Sequence, residues 1–281
     1  MTVVISDIKK EIAKKPVLSE ISFSWHSGEI IALVGRNGAG KTTLLRTIAN
    51  QIQPDEGTVR LNGRQIGTDL FFLDANHAFM NTEKVCKLPA IMTKIYPKFD
   101  ASYFEQMCMD FNIDQSRVYG RLSKGEQAIT DICLAISSKA SFILLDEPFS
   151  GLDMSVVKMT IETIIGAAAE GVSFLIATHD LYETDGVFNR ALIIKSGKLI
   201  VDTVLDEWLM GARKIRLVFR DGNIPSDFPH DHLQGISHEG RMYTCIFTNF
   251  SNELSKMIDG CSPAIREDSI PTVAELIGAI Y

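Results

Sequence analysis

One loop constrains this chain more than any other feature of its sequence. Residues 35–42 read GRNGAGKT, between an apolar run over Ile30–Val34 and a helical pattern over Thr42–Ala49. The loop fits G-x-x-x-x-G-K-[ST], and this motif requires a strand before it and a helix after it. Glycines let backbone N–H groups curl around phosphate oxygens, and the start of a helix adds a favourable dipole. The sequence therefore predicts a phosphate-binding loop inside an α/β fold.

The side chains of this phosphate loop have separate predicted tasks. Lys41 is expected to reach the β- and γ-phosphates of ATP, and Thr42 is expected to bind Mg²⁺. The predicted cofactors are therefore ATP and Mg²⁺. The predicted nucleotide-binding residues here are Gly35, Arg36, Asn37, Gly38, Ala39, Gly40, Lys41, Thr42 and Thr43.

An acidic pair ends a second strand-like run. FILLDEP places Asp146 and Glu147 directly after four apolar residues. Ligands of open α/β sheets bind beyond the carboxyl ends of the strands, so both carboxylates are predicted to face the ligand. Asp146 is the expected second holder of Mg²⁺. Glu147 is the expected general base that polarises the attacking water.

The rest of the chain alternates strand and helix patterns and then changes character. Residues 76–138 look helical, 139–200 predict a mainly parallel sheet, and GTVRLNGRQI reads as a hairpin turning at Asn62-Gly63. The predicted class is α/β: a P-loop ATPase with a mixed, mainly parallel sheet, an antiparallel β subdomain, an inserted helical subdomain and a small C-terminal α+β segment. The expected domains are 1–210 for nucleotide binding, with its helical subdomain at about 76–138, and 211–281 as an accessory domain.

Composition argues against several other kinds of protein. The net charge of −7 disfavours a general nucleic-acid binder, which usually carries a basic face. Five cysteines without a C-x-x-C pair indicate idle thiols in a reducing compartment. The sequence opens without a signal-peptide core, and no apolar run approaches the ~20 residues that a membrane span needs. If this protein works at a membrane, another chain is expected to supply the spans.

Further motifs, in the right order, resemble those of the ABC ATPases. Leu122–Glu126, LSKGE, resembles the family's signature, usually LSGGQ, and Ser150–Asp153, SGLD, resembles its D-loop. His179, in ATHD, looks like the switch histidine, which makes it a second expected catalytic residue beside Glu147. Tyr96–Asp100, YPKFD, together with LSKGE, is similar to the branch that includes drug, peptide and lantibiotic exporters.

The resemblance implies a composite site between two ATPase domains. They would face head to tail, and each ATP would lie between the phosphate loop of one and the signature of the other. A helix starting at about Glu126 would direct its dipole at the partner's γ-phosphate. Lys124, where the family has glycine, either attracts that phosphate or is only solvated. The signature residues expected to act in trans are Ser123, Lys124, Gly125 and Glu126, and the expected D-loop residue is Asp153.

The resemblance also implies partners and a location. An exporter ATPase would drive an integral membrane permease subunit, as a homodimer or as a heterodimer with a paralogous ATPase, and would bind no nucleic acid. It would be cytoplasmic and peripheral at the inner face of the cell membrane. The Met- and Phe-rich segment 79–111 is either a groove for the permease or, for most of its residues, core of the helical subdomain.

Two positions depart from the family pattern. Ile12 stands where members usually stack an aromatic ring on adenine, so base discrimination is expected to be weak. The Q-loop glutamine is expected near the end of DLFFLDAN, where the best alignment places Ala75 between Asp74 and Asn76. Either Asn76 or Asp74 replaces the missing contact, or the link runs through packing alone. Asn76 is favoured, because an amide both donates and accepts hydrogen bonds, whereas Asp74 would add a carboxylate beside Asp146 and Glu147.

Two other functions stay open as alternatives. A soluble ABC ATPase of translation or DNA repair usually carries a second cassette, a coiled coil, zinc cysteines or basic arms, and this sequence has none of these signals. A weakly hydrolysing partner in a heterodimeric ATPase pair would fit the departures at Ile12 and Ala75. The intact phosphate loop and acidic pair oppose that second alternative.

Overall fold

The computed structural model describes residues 1–73, 80–179 and 186–281. They divide into two compact units, Met1–Asp202 and Thr203–Tyr281. The strands are β1 (Thr2–Ile12), β2 (Lys15–His26), β3 (Ile30–Val34), β4 (Glu56–Leu61), β5 (Leu70–Leu73), β6 (Phe142–Asp146), β7 (Ser173–Thr178), β8 (Arg190–Lys195), β9 (Lys198–Val204), β10 (Arg213–Val218), β11 (Gly235–Glu239), β12 (Met242–Phe247) and β13 (Ile265–Ser269). The helices are α1 (Lys41–Ile48), α2 (Leu88–Ile95), α3 (Ala101–Asp110), α4 (Lys124–Ser137), α5 (Met154–Ala169), α6 (Leu205–Gly211), α7 (Asn252–Gly260) and α8 (Val273–Gly278).

A six-stranded sheet in the order β5-β6-β7-β3-β8-β9 positions the predicted site. Its pairs from β5 to β8 are parallel, and every residue of β3 and β7 is buried. Such continuous apolar strands are typical of parallel sheets covered on both faces. Parallel strands end at the same edge of a sheet. Val34 pairs with Thr178, and Asp146 pairs with Ala177, so the ends of β3, β6 and β7 lie together at one edge.

An antiparallel sheet in the order β2-β1-β4 supplies the predicted β subdomain. Trp25 on β2 is fully buried, and its ring lies edge-on to Phe142 of β6 with centroids 4.7 Å apart. The turn expected at Asn62-Gly63 is present: Leu61 and Arg64 exchange backbone hydrogen bonds of 2.8 and 2.9 Å across it, and Asn62 and Gly63 both have positive φ. The second strand of the expected hairpin ends at this one bridge, and β4 pairs along its length with β1.

The segment 88–137 carries α2, α3 and α4, as the helical pattern predicts. Met80, Phe104 and Met107 are buried, which supports the interpretation of those side chains as core. Tyr103 and Met109 of α3 are exposed. Helix α4 begins at Lys124, two residues before the start expected at about Glu126, because Ser123 caps it.

The second unit contains an antiparallel sheet in the order β11-β12-β10-β13, with its own apolar core. On one face, residues of β10 and β12 pack with α7: Ile215, Leu217, Cys245, Phe247, Leu254 and Ile258. A smaller cluster joins Ala212, Ile246 and Leu276. The unit is thus α+β, which matches the class expected for the C-terminal segment.

The mixed sheet, the antiparallel β strands and the helical segment confirm the predicted fold class. Among the helices of the described ranges, none has both the length and the apolar character that crossing a bilayer would need.

Candidate functional site

The phosphate loop lies between β3 and α1, as the sequence predicts. Gly40 precedes α1 with φ +109°, a conformation that L side chains rarely adopt, and a Cβ there would lie 2.9 Å from the Val17 carbonyl oxygen. The first turn of α1 has no side-chain cap and no acidic residue, so its N–H groups suit an anion. A cavity of about 250 Å³ opens here, lined by Val17, Arg36, Asn37, Gly38, Ala39, Gly40, Lys41, Thr42, Thr43 and Glu147.

The loop hydroxyl and the first carboxylate of the acidic pair meet directly. Thr42 Oγ1 donates a hydrogen bond of 2.7 Å to Asp146 Oδ2. Mg²⁺ prefers hard oxygen ligands and is commonly held by one or two carboxylates together with water and phosphate oxygens. The hydroxyl and the carboxylate therefore form a donor set that fits the expected ion.

Glu147 is the centre of a charged cluster. Its Oε1 lies 3.2 Å from Lys41 Nζ, and its Oε2 lies 2.7 Å from Nδ1 of His179. Lys41 also donates to the Gly35 carbonyl oxygen at 2.7 Å. Glu147 has φ +52°, and its N–H donates to Ala177 at the end of the neighbouring strand β7. The sheet edge thus brings together three of the predicted side chains from three separate segments, and we call Lys41, Glu147 and His179 the Glu147 cluster.

The signature segment, Leu122–Glu126, is the start of α4. Ser123 Oγ accepts the Glu126 N–H at 3.2 Å, and the Glu126 carboxylate accepts the Ser123 N–H at 2.6 Å. This reciprocal capping box leaves the Ser123 hydroxyl proton free to donate elsewhere. Arg117 donates to both oxygens of Glu126, at 3.0 and 3.3 Å. The Ser123 N–H and the Arg117 guanidinium hold the pKa of the Glu126 carboxyl below its usual range.

The D-loop packs beside the signature segment. A Cβ on Gly125 would lie 3.2 Å from Cγ2 of Val156 in the first turn of α5, so the two helix starts approach closely. Gly151 has φ +71°, and a Cβ there would lie 3.8 Å from Lys124 Nζ. Asp153 occupies the N-cap position of α5, yet its side chain makes no capping hydrogen bond.

The predicted residues therefore separate into two groups. Within the described residues, Ser123, Lys124, Gly125, Glu126 and Asp153 do not line the cavity of the phosphate loop. Lys124 instead lines a second cavity of about 420 Å³, which also includes Gln127, Asp131, Glu147 and Ser150.

The position predicted for the nucleobase lies at the exposed end of β1. Ile12 is 46% exposed and pairs with Lys15 across the turn at Ala13 and Lys14. Trp25 cannot supply the aromatic ring that is missing at residue 12, because its own side chain is fully buried. The predicted Q-loop residues Asp74, Ala75 and Asn76 lie outside the described residues.

Sequence reasoning missed three residues of this region. Val17 lines the phosphate-loop cavity, Arg117 neutralises Glu126, and Val156 packs on Gly125. Val17 and Val156 look like ordinary apolar residues of a strand and a helix, and they carry no motif. Arg117 lies nine positions before Glu126 in the sequence, which is farther than the spacings from which side-chain pairs within one helix can be predicted.

Comparisons with known proteins agree with this architecture. A family model described as ABC transporter matches residues 18–150. The ABC transporter ATP-binding protein YtrB of Bacillus subtilis (strain 168) is 27% identical over 93% of this chain and 91% of its own length. The uncharacterized ABC transporter ATP-binding protein MJ1023 of Methanocaldococcus jannaschii is 32% identical over 70% of this chain and 75% of its own length. Other relatives are named for ribose import or for lipopolysaccharide export.

A solved structure titled "Structure of ATP binding subunit of ABC transporter" superposes with a TM-score of 0.67, at 22% identity, over 75% of this chain and 92% of that one. At 22% identity the superposition supports the fold alone, and the assignment to a family rests on the sequence relatives. The chain therefore belongs to the ATP-binding proteins of ABC transporters, a family of nucleotide-binding ATPases.

Proposed function

We propose that this chain binds Mg·ATP in its phosphate loop and hydrolyses the γ-phosphate with Glu147 as general base. The observation that carries the proposal is the Glu147 cluster, in which Glu147 contacts both the loop lysine and His179. A carboxylate beside the phosphate-binding lysine is placed to accept a proton from an attacking water. His179 would orient that water and the γ-phosphate through its imidazole.

Thr42 and Asp146 would hold the magnesium ion, because their oxygens already lie within hydrogen-bonding distance. Mg²⁺ would supply charge neutralisation at the β- and γ-phosphates. Lys41 would bind the same phosphates from the loop side. Ile12 and Val17 would offer the base an apolar contact without an aromatic face.

The separation of the signature group from the phosphate-loop cavity favours a composite site. In this arrangement the signature segment of one ATPase completes the phosphate loop of another, either a second copy or a paralogue. Closure around two ATP molecules would then move an attached membrane permease, with the chain at the cytoplasmic face of the membrane. The YPKFD and LSKGE segments favour an exporter, and cargo would be read by the permease.

The test of the chemistry is Glu147→Gln, with Glu162→Gln on α5 as the matched control. Glu162 is 67% exposed and pairs only loosely with Lys158, at 4.0 Å. Glu147→Gln should retain ATP binding by calorimetry and lower turnover roughly 10²–10⁴-fold, the usual contribution of a general base. Glu162→Gln should hydrolyse like the native chain. Near-native turnover by Glu147→Gln would remove Glu147 from this role, and a native chain without turnover would favour the weakly hydrolysing partner.

The test of the assembly is co-purification from native membranes. A permease that accompanies the chain, and whose vesicles move substrate outward with ATP, would support the exporter. Inward movement of the substrate would indicate an importer in place of an exporter. Co-purification with a ribosomal or DNA-repair complex would favour the soluble ABC ATPase.

A further inference from the structure

Helix α2 and the residues on either side of it form a basic segment in an acidic chain. The segment 84–98 contains Lys84, Lys87, Lys94 and Lys98 and has no Asp or Glu. It therefore carries four positive charges, whereas the net charge of the whole chain is −7. A surface on which one sign of charge is concentrated favours a partner of the opposite sign.

Helix α2 has a buried face and an exposed face. Leu88, Pro89 and Met92 are buried and hold the helix against the protein. Lys87, which directly precedes α2 with right-handed helical backbone angles, and Lys94 are both exposed. Their spacing in the sequence is almost two helical turns, so the two lysines project from the same side of the helix.

The charges of these two lysines are not used inside the described part of the fold. Neither lysine forms an ion pair with a residue in the ranges 1–73, 80–179 and 186–281. The outer two lysines of the segment differ, because Lys98 lies 3.8 Å from Asp69 and Lys84 interacts electrostatically with Asp114. The inner pair is therefore the part of the segment best able to neutralise an external anion.

Aliphatic side chains accompany the inner pair of lysines. Ala90 is exposed, Ile91 is half-buried, and Ile95 at the end of α2 is 50% exposed. Lysines mixed with aliphatic groups suit the boundary of a bilayer, where the long lysine side chains reach the headgroups while the aliphatic groups leave water. Binding to the phosphate backbone of a nucleic acid relies on the cations, so the exposed isoleucine favours lipid as the partner.

Two neighbouring helices of the first unit carry different charges on their exposed faces. Helix α3 exposes Glu105 and Asp110. On α5, Lys158 and Glu162 are both exposed and lie 4.0 Å apart. Among these three helices, α2 is the one that combines exposed lysines with an exposed aliphatic side chain and has no acid.

We propose that the exposed face of α2, with Lys87, Lys94 and Ile95, lies against a membrane leaflet that carries anionic lipid headgroups. The inference rests on the membrane location in the proposed function and adds to it a direct contact between the ATPase and lipid. Each lysine near an anionic surface strengthens binding by about fivefold. Two lysines and one isoleucine make a weak anchor, because stable anchoring takes more than one such signal. The contact would therefore supplement the attachment to a permease.

Co-sedimentation of the nucleotide-free full chain with vesicles tests this contact. One set of vesicles mixes phosphatidylglycerol with phosphatidylcholine, and the other contains phosphatidylcholine alone. The native chain should bind the anionic vesicles more tightly than the neutral ones. Added salt should weaken binding to the anionic vesicles, because screening shortens the reach of the surface charge.

A double variant measures the contribution of the lysines. Lys87→Gln combined with Lys94→Gln should lower the partition coefficient for anionic vesicles roughly 25-fold, since each lysine contributes about fivefold. The matched control combines Lys158→Gln with Lys198→Gln, which removes the same net charge from exposed lysines on α5 and β9. This control should bind nearly as well as the native chain, and arginine at both α2 positions should preserve binding.

A single variant measures the contribution of the aliphatic side chain. Ile95→Gln should lower the partition coefficient about fivefold, because a half-exposed isoleucine would leave water on binding. Ile165→Gln is the matched control, since Ile165 is 44% exposed on α5. An unchanged partition coefficient for Ile95→Gln would overturn the placement of this face at the bilayer boundary.

The remaining outcomes also decide the matter. Equal partition coefficients for the lysine double variant and its matched control would overturn the inference, and so would equal binding of the native chain to the two sets of vesicles. Tighter binding to a duplex oligonucleotide, lost in the same double variant, would assign the surface to nucleic acid instead. Calorimetry separates these results from the proposed function. The native chain and the double variant should bind Mg·ATP equally, and a native chain that binds no ATP would reject the proposed function while the vesicle result stands.

Discussion

The Lys41 ammonium group occupies a buried position that would be costly without partners. Only 6% of its side chain is exposed, and removing an ion from water costs several kcal/mol unless hydrogen bonds and opposite charge replace the solvent. The Gly35 carbonyl oxygen and the Glu147 carboxylate provide both. Phosphate oxygens would offer the same acceptors and the same charge. The side chain is therefore held where the proposed substrate needs it.

The position predicted to contact the nucleobase carries no aromatic ring. Ile12 is a half-exposed aliphatic side chain, and Trp25, the nearest tryptophan in sequence, is buried against Phe142. ATP and GTP should therefore bind to the native chain within roughly tenfold of each other, because Ile12 offers the base neither a hydrogen bond that could tell adenine from guanine nor an aromatic face, whose stacking is worth about 1–3 kcal/mol. Competition between the two nucleotides in calorimetry measures this ratio.

Ile12→Tyr should tighten ATP binding by up to that same stacking contribution. Ile12→Leu is the matched control, because it changes the shape of the side chain without adding a π-face. Equal affinities for the tyrosine and leucine variants would show that residue 12 does not contact the base.

The start of α4 depends on one carboxylate that performs two tasks. Glu126 closes the capping box on Ser123 and pairs with Arg117. The ion pair requires the ionised carboxylate, and the hydrogen bond from the Ser123 N–H is stronger to that form. Its pKa is lowered from the ordinary value of 4.5, first by the Ser123 N–H. A carboxyl whose pKa is lowered by folding stabilises the native state above the unfolded pKa. That contribution is lost as the pH falls through the lower, folded pKa.

Glu126→Gln should therefore lower the free energy of unfolding at pH 7 by about 0.3–1 kcal/mol, the usual contribution of an acid near a helix N-terminus. The difference from the native chain should shrink as the pH falls below about 4.5. Urea unfolding at several pH values measures this difference in the free energy of unfolding. Glu162→Gln, on the exposed face of α5, should show little difference at any pH, and a pH-independent loss for Glu126→Gln would contradict the ionic role.

Local patterns predict the elements around the site well, because each carries its own signal. The buried run of β3, the glycines of the loop and the apolar run of β6 lie as expected. The expected start of α4 is two residues late, although Ser123 and Glu126 carry the spacing of a capping box. The turn expected at Asn62-Gly63 is present, but the hairpin stops at the Leu61–Arg64 bridge. The main partner of β4 is β1, and such long-range pairing leaves no mark in a short window of sequence. The polar edge strands β11 and β13 escape sequence reasoning because they lack apolar alternation.

The two units of the chain have separate apolar cores. The strands of the first unit bury Ile176 completely, and those of the second bury Ile215 completely. Separate cores favour separate cooperative unfolding transitions. We therefore propose that residues 203–281 unfold independently of the ATPase unit, which gives the boundary expected near residue 210 a thermodynamic test.

Ile176→Val and Ile215→Val remove the same methylene group from the two cores. Each should cost about 0.5–1.5 kcal/mol, the usual range for this substitution. Calorimetry of the full chain should resolve two transitions. Mg·ATP should raise only the transition that Ile176→Val lowers, because a ligand stabilises the unit that binds it. For each kcal/mol by which a substitution lowers the free energy of unfolding, the melting temperature of the smaller unit should fall by about 4–8 °C. That of the larger unit should fall by about 2–4 °C, since the entropy of unfolding grows with size. A single transition that both substitutions lower, and that Mg·ATP raises, would mean that the two cores unfold as one body.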